Sequence, residues 1–202
     1  MTPERAHPPA APASDDLLGQ DAIKDLVRRA YRQVVGQATP VAERLYDPAQ
    51  LALLPQGAIA QALGVGNPVR AAGLTPGEVV IDLGCGGGID TILAARAVSP
   101  GGKAIGLDML PEMLEVASRN AAQGGVANIE WLQGHLEEIP LPDESVDAAV
   151  SNGVINLSPR KSRVFAEIHR VLRPGGRFVA ADIVVDEDLP PEVLTNPAAW
   201  AG

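Results

Sequence analysis

Cysteine, aromatic side chains and basic charge are what this sequence has least of. One cysteine, Cys85, among 202 residues excludes a disulfide framework and a zinc-finger-type cluster. Aromatic residues make up 3% of the chain, too few for the stacking platforms that hold single-stranded nucleic acid. Lys and Arg number 16 against 25 Asp and Glu, a net charge of −9. An acidic surface repels phosphate backbones and anionic lipids, so neither nucleic acid nor a membrane is expected as a partner. No apolar run reaches the ~18 residues of a membrane span. The stretch 1–9 has no apolar core and does not read as a secretory signal. What is present is glycine and proline, 21 and 18 residues, many for a helical bundle. The expectation is a cytoplasmic enzyme or small-molecule binder of one domain, or one plus a small appendage. Such a chain buries about 70% of its unfolded surface and needs no covalent or metal staple.

Residues 1–16 are rich in Pro, Ala and Asp without apolar periodicity and read as a disordered tail. Residues 17–70 read as an N-terminal helical segment. Ile23, Leu26, Val27, Ala30, Tyr31, Val34 and Val35 recur at three- and four-residue steps, which predicts an amphipathic helix ending near Gly36. A second helical stretch over 49–63 is interrupted by Pro55 and stops at the Gly64–Val65–Gly66–Asn67–Pro68 turn. Such helices serve either as a lid over a neighbouring site or as a clasp on the core. Residues 71–202 follow another rhythm. Strands are predicted over 79–83, 103–108, 129–132, 146–150 and 177–184, and helices over 89–98, 111–123 and 158–172. The alternation argues an α/β fold with a doubly wound, mostly parallel sheet of five strands behind N-terminal helices.

Ligands collect at the carboxyl ends of such a sheet. The loop leaving the first strand reads Asp82-Leu83-Gly84-Cys85-Gly86-Gly87-Gly88-Ile89-Asp90. Glycines at 84, 86 and 88 let a ligand approach the backbone closely. The dinucleotide fingerprint would need glycine at 89, which is Ile89. A pyrophosphate also wants no nearby anion, and Asp82 is one. Asp108 ends the second strand 24 residues after Gly84, near the spacing at which a carboxylate meets ribose hydroxyls. Met109 follows it and reads either as a wall against adenine or as ordinary core.

Gly-x-Gly-x-Gly with an acid two positions earlier resembles the S-adenosylmethionine loop of class I methyltransferases, which have a Rossmann-like sheet. That resemblance implies S-adenosylmethionine as cofactor, bound by Asp82, Gly84, Cys85, Gly86, Gly88, Asp108, Met109, His135, Leu136, Glu137 and Asn152. In that family the turn at 134–137 meets the adenine edge, and Ser151-Asn152-Gly153 lies beside the methyl group. Leu172-Arg173-Pro174-Gly175-Gly176 adds a further mark. Within the class, Gly64-Val65-Gly66-Asn67-Pro68, Gly86-Gly87-Gly88-Ile89-Asp90, Gly106-Leu107-Asp108-Met109 and Ser151-Asn152-Gly153-Val154-Ile155-Asn156-Leu157 resemble the arsenite methyltransferases. So does Tyr46-Asp47-Pro48, and the likeness spans roughly 40–200. It implies a small-molecule or metalloid acceptor. The departures fall on thiols. The family carries cysteines where this chain has Val65 and Gly153, and another near the position of Trp200. Trivalent arsenic is soft and is held by thiolates, so the resemblance implies a cofactor half without the metalloid half.

Methyl transfer from a sulfonium is an in-line displacement in which positioning supplies much of the acceleration. Candidate catalytic residues are Asn152, Asn156 and Tyr46, with His135 weighed beside them. Asn152 also reads as a turn cap, and His135 as a solvent-facing turn residue. No metal-ligand constellation stands out. The alternatives are a small-molecule O-, N- or C-methyltransferase and an inactive cofactor-binding or interaction protein. The class I sheet has seven strands and five are found here, so the chain reads as C-terminally short. Its strand at 177–184 would then be an exposed edge, to be covered by a partner or by a second copy in a homodimer.

Overall fold

The computed structural model describes Asp25 and residues 39–184. The tail expected over 1–16, most of the helix expected over 21–36 and the position of Trp200 lie outside them. Four short helices come first: α1 (Thr39–Leu45), α2 (Pro48–Leu51), α3 (Gln56–Ile59) and α4 (Pro68–Ala71). α2 and α4 start where their sequence suits a helix N-terminus. Pro48 and Pro68 occupy first-turn positions, and the Asn67 side chain accepts from the Arg70 N–H at 3.1 Å. Pro55 separates α2 from α3, as expected.

The sheet contains β1 (Val79–Leu83), β2 (Lys103–Asp108), β3 (Ile129–Gln133), β4 (Val146–Asn152) and β5 (Leu172–Ala181). All five pair in parallel, in the order β3-β2-β1-β4-β5. The crossovers run through α5 (Ile89–Ala97), α6 (Pro111–Gln123) and α7 (Lys161–Val171). This is the doubly wound Rossmann-like arrangement expected from the alternation. Strand order reverses between β1 and β4, so the crevice at their carboxyl ends is where a ligand belongs.

β1 and β4 are buried on both faces, as parallel strands between helix layers must be. Val80, Ala104, Ala148 and Val150 join Ile92, Leu93, Ala42, Tyr46, Ala58 and Ile59 in one core, beneath α5 and the N-terminal helices. Ile81, Leu83, Ile105, Leu107 and Ala149 pack on the other face with Val164, Ile168 and Val171 of α7. Each fully buried Leu or Ile of this set contributes about 1.5–3 kcal/mol. The N-terminal helices are therefore a clasp that shares the central core, and residues 61–64 also wall the crevice.

Three boundaries in the sheet and its crossovers differ from expectation by three residues or more. α7 starts at Lys161 rather than Ser158, because Ser158 precedes Pro159 and is held extended at ψ 129°. β5 starts at Leu172, which pairs with Val146, and residues 173–176 then bow out before Arg177 returns opposite Ala148. Gly175, at φ +81°, permits that excursion. The strand ends at Ala181 rather than 184, and Ile183 and Val184 are exposed. Among the described residues β5 pairs on one side only.

Candidate functional site

The crevice is a cleft of about 1250 Å³, counting the solvent at its open mouth. One wall is the loop between β1 and α5, the second the ends of β2 and β3, the third the end of β4. Residues 61–64 cover it from the N-terminal side. The loop is held by the neighbouring strand: the Gly84 and Cys85 N–H groups donate to the Leu107 carbonyl at 2.8 and 2.9 Å. Gly84, at φ +72°, lies where a Cβ would stand 2.6 Å from Val154, so a side chain is excluded twice over.

Asp108 straps this loop in place. One carboxylate oxygen accepts from the Gly86 N–H at 2.9 Å and the other from the Leu110 N–H at 2.9 Å. Burial pushes its carboxyl upward against those two bonds. Met109, Leu110 and Met113 continue from it as an apolar wall, and His135, Leu136 and Glu137 form the next side. Glu137 accepts a 2.7 Å hydrogen bond from the Ser158 hydroxyl.

Two buried carboxyls lie at the base. Asp82 is 3% exposed and accepts from the Thr91 hydroxyl at 2.5 Å; Asp90, in the first turn of α5, is 4% exposed. Burial, then the charge of Asp90, pushes Asp82 up to about 8. Burial raises Asp90 as well, while hydrogen bonds from Asn152 and Tyr46 pull it back down. Cys85 is buried and its thiol is pushed up by burial and then by Asp82, so it is not a thiolate.

Asn152 ends β4 and is saturated by protein partners. Its carbonyl oxygen accepts from the N–H groups of Val65 and Gly66 at 2.8 and 3.1 Å. Its amide nitrogen donates to the Gly66 carbonyl (2.9 Å), to Asp90 (2.9 Å) and to the Tyr46 hydroxyl (3.1 Å). The Tyr46 hydroxyl in turn donates to the other Asp90 oxygen at 2.9 Å.

Of the cofactor-binding residues expected from sequence, the structure gathers all but Gly88 along the cleft. Gly88 caps α5 at φ +87°, with its missing Cβ directed at Ala117 (3.0 Å) and Trp131 (3.4 Å), so it serves helix packing. The three candidate catalytic residues separate. Asn152 lines the cleft, Tyr46 lies behind it, and Asn156 sits in the 3₁₀ turn Ile155–Leu157 away from it, its backbone N–H donating to Asp182 at 3.1 Å. Sequence reasoning overlooked Gln61, Leu63, Asp90 and Val154 as site residues. Asp90 stood in the quoted motif, where an acid at a helix start reads as an ordinary dipole partner.

Asp82, Asp90, Asp108 and Glu137 line the cleft, and among the described residues no Lys or Arg does. That charge set repels a phosphate and attracts a cation. Among the described residues no His, Cys, Asp and Glu cluster could hold a metal ion, and no helix is long and apolar enough to cross a membrane.

Comparison with known proteins agrees with this chemistry. A methyltransferase-domain family model matches residues 74–202. The arsenite methyltransferase of Halobacterium salinarum is 45% identical over 79% of this chain and 41% of its own length. The demethylmenaquinone methyltransferase of Symbiobacterium thermophilum is 37% identical over 53% of this chain and 43% of its own. The crystal structure of an arsenic (III) S-adenosylmethionine methyltransferase from Chlamydomonas reinhardtii superposes with a TM-score of 0.68 at 40% identity, over 74% of this chain and 52% of that one. The chain thus spans about two fifths to one half of the length of these relatives. With its parallel sheet, glycine loop and cation-seeking cleft, the chain belongs to the methyltransferase-domain family, on the fold of the class I S-adenosylmethionine-dependent enzymes.

Proposed function

We propose that this chain binds S-adenosylmethionine in the cleft and transfers its methyl group to a small acceptor, with a cofactor half of the arsenite methyltransferase type. The observation that carries the reading is the cation-seeking lining, four carboxyls and, among the described residues, no Lys or Arg, at the switch point of a parallel sheet. The cofactor supplies a methyl group on a positive sulfur that is already a good leaving group. Asp82 and Asp90 would hold its ammonium, Asp108 its ribose hydroxyls, and Met109, Leu110 and Met113 one face of adenine. The glycine loop admits the chain of the amino acid against its backbone. The work left to the protein is to orient the acceptor and to exclude water.

The acceptor side lies where Gly64 and Val65 meet Gly153 and Val154. A Cβ on Gly153 would stand 3.6 Å from a Val65 methyl. These are two positions at which the arsenite methyltransferases carry thiols, so here the acceptor meets methyl groups and backbone. The sequence's only cysteine, Cys85, is buried and protonated. That adjacency favours a second reading, an acceptor with an oxygen, nitrogen or carbon nucleophile and an apolar body.

Calorimetry with S-adenosylmethionine tests the first step, and a Kd in the micromolar range is expected. Release of S-adenosylhomocysteine with arsenite and with apolar acceptors then separates the readings. Arsenite-dependent release supports the metalloid acceptor, and release only with organic acceptors supports the second reading. Binding without turnover on any acceptor removes the catalytic proposal. Absence of binding removes it altogether.

A further inference from the structure

Tyr46 directly follows α1, far from the glycine loop in sequence, yet it is 3% exposed beneath the cleft. Its hydroxyl is hydrogen-bonded to both Asp90 and Asn152, at 2.9 and 3.1 Å. Each of those two side chains lines the cleft, while Tyr46 does not. Asn152 also gathers both N–H groups and the carbonyl of the Val65–Gly66 stretch, so four segments end in one polar knot: α1, the 64–66 turn, the start of α5 and the end of β4. The turn is shaped for it. A Cβ on Gly64 would collide with the Asn152 amide, and one on Gly66 would stand 2.5 Å from Ala181.

We infer that Tyr46 is a positioning residue of the cleft: its buried hydroxyl fixes the orientation and charge of Asp90, locks the Asn152 amide, and so seats residues 39–66 as the wall of the cofactor site. As a role in methyl transfer this rests on the function proposed above, but its effect on Asp90 does not. Burial raises the Tyr46 hydroxyl further above its ordinary value, with Asp90's charge adding to it, which makes Tyr46 a hydrogen-bond donor and not a base. A donated hydrogen bond stabilises the charged form of a carboxyl, so Tyr46 keeps Asp90 more ionised than its burial alone would allow. The other titratable groups around Asp90 are Asp82 on β1, whose charge opposes its ionisation, and Asp108, Cys85, His135 and Glu137 along the same cleft. Among the described residues no Lys or Arg lines the cleft to substitute for the hydroxyl.

The test uses the full chain with Tyr46→Phe, which removes the oxygen and keeps the ring, and with 3-fluorotyrosine placed at position 46. The fluorinated ring keeps the hydroxyl and makes it a stronger donor. Carboxyl-carbon NMR of the ligand-free protein should show the Asp90 titration about one pH unit higher in Tyr46→Phe and lower in the fluorotyrosine protein. Calorimetry across pH should show S-adenosylmethionine affinity about tenfold weaker in Tyr46→Phe at pH 6.5, with its acidic limb displaced in the same direction. A role in packing alone moves neither titration nor limb, and an unchanged Asp90 titration in both variants overturns the inference. Should Tyr46→Phe fail to fold, the fluorotyrosine protein decides alone. If the wild type does not bind S-adenosylmethionine, the proposed function falls while the Asp90 titration still decides this one.

Discussion

At the amino end of the sheet, Glu78 receives both ends of the Arg177 guanidinium at 2.7 Å. Asp147 there joins Arg173 at 2.6 Å and accepts from the Val79 N–H at 2.8 Å. At the carboxyl end, Asp82 and Asp90 are more deeply buried and meet a threonine, a tyrosine and an asparagine, but no cation among the described residues. Charge follows partner. The Arg177 hydrogen bonds pull Glu78 down to about 2, while burial pushes Asp82 up to about 8. An unpaired buried carboxyl costs stability, and such groups gather where a ligand supplies the missing partner. The amino end is complete by itself, and in the proposed function the carboxyl end is completed by the cationic cofactor.

The largest effect should come from Asp82→Asn, which keeps the shape and the Thr91 contact but removes the charge. S-adenosylmethionine affinity should fall about a hundredfold, about 2.8 kcal/mol, by calorimetry at pH 7.5. Unchanged affinity would erase the distinction between the two ends.

The pH dependence comes next. A carboxyl raised on folding holds its proton longer in the native state, so it stabilises fully below about pH 4 and this stabilisation is lost as pH rises toward 8. Ligand-free protein should therefore melt progressively lower from pH 5 to 8, with a flatter slope in Asp82→Asn. Affinity for the cationic cofactor should run the other way, rising from about pH 5 to 7.5 until the ligand's own amine, near 8, begins to lose its proton. Parallel slopes in the wild type and Asp82→Asn would assign the trend to other groups.

The smallest effect belongs to Glu78→Gln. Its lowered carboxyl contributes stability that is present above about pH 4.5 and lost as pH falls toward 2. Urea unfolding should show a loss of about 1 kcal/mol at pH 7 that shrinks below pH 4, since Arg177 is partly solvated. Cofactor affinity should not change, and a change would show that the two ends are coupled.

Much of this architecture was legible because it is local. Val79–Leu83 is a largely β-branched run closed by Gly84, Lys103–Asp108 is a short apolar run opened by Gly102, and the ends of both match the expectation to the residue. Pro111 and the glycine at 124 bracket α6 in the same way. The start of β5 was not legible, since Arg173–Gly176 looks like a turn and becomes a bulge only because Leu172 can pair with Val146. Gly88 was read as room for a ligand, yet the close neighbour is Ala117, which lies 29 residues further on. Tyr46 stands out with Asp47 and Pro48 as a candidate, but nothing in that segment tells which side chains its hydroxyl meets. Its partners Asp90 and Asn152 are 44 and 106 residues away.

The sequence by itself determined the order of strands and helices, the glycine loop with its two acids, the acidic balance and the absence of thiols at Val65 and Gly153. Those follow from periodicity and residue chemistry, which act over a few neighbours. Only the tertiary structure decided that Asp82 and Asp90 share a buried floor with no cation among the described residues, that Gly153 faces Val65, and that Tyr46 joins the knot. Burial and proximity arise from packing segments distant in the chain. They set the local dielectric, and with it the charge of a carboxyl.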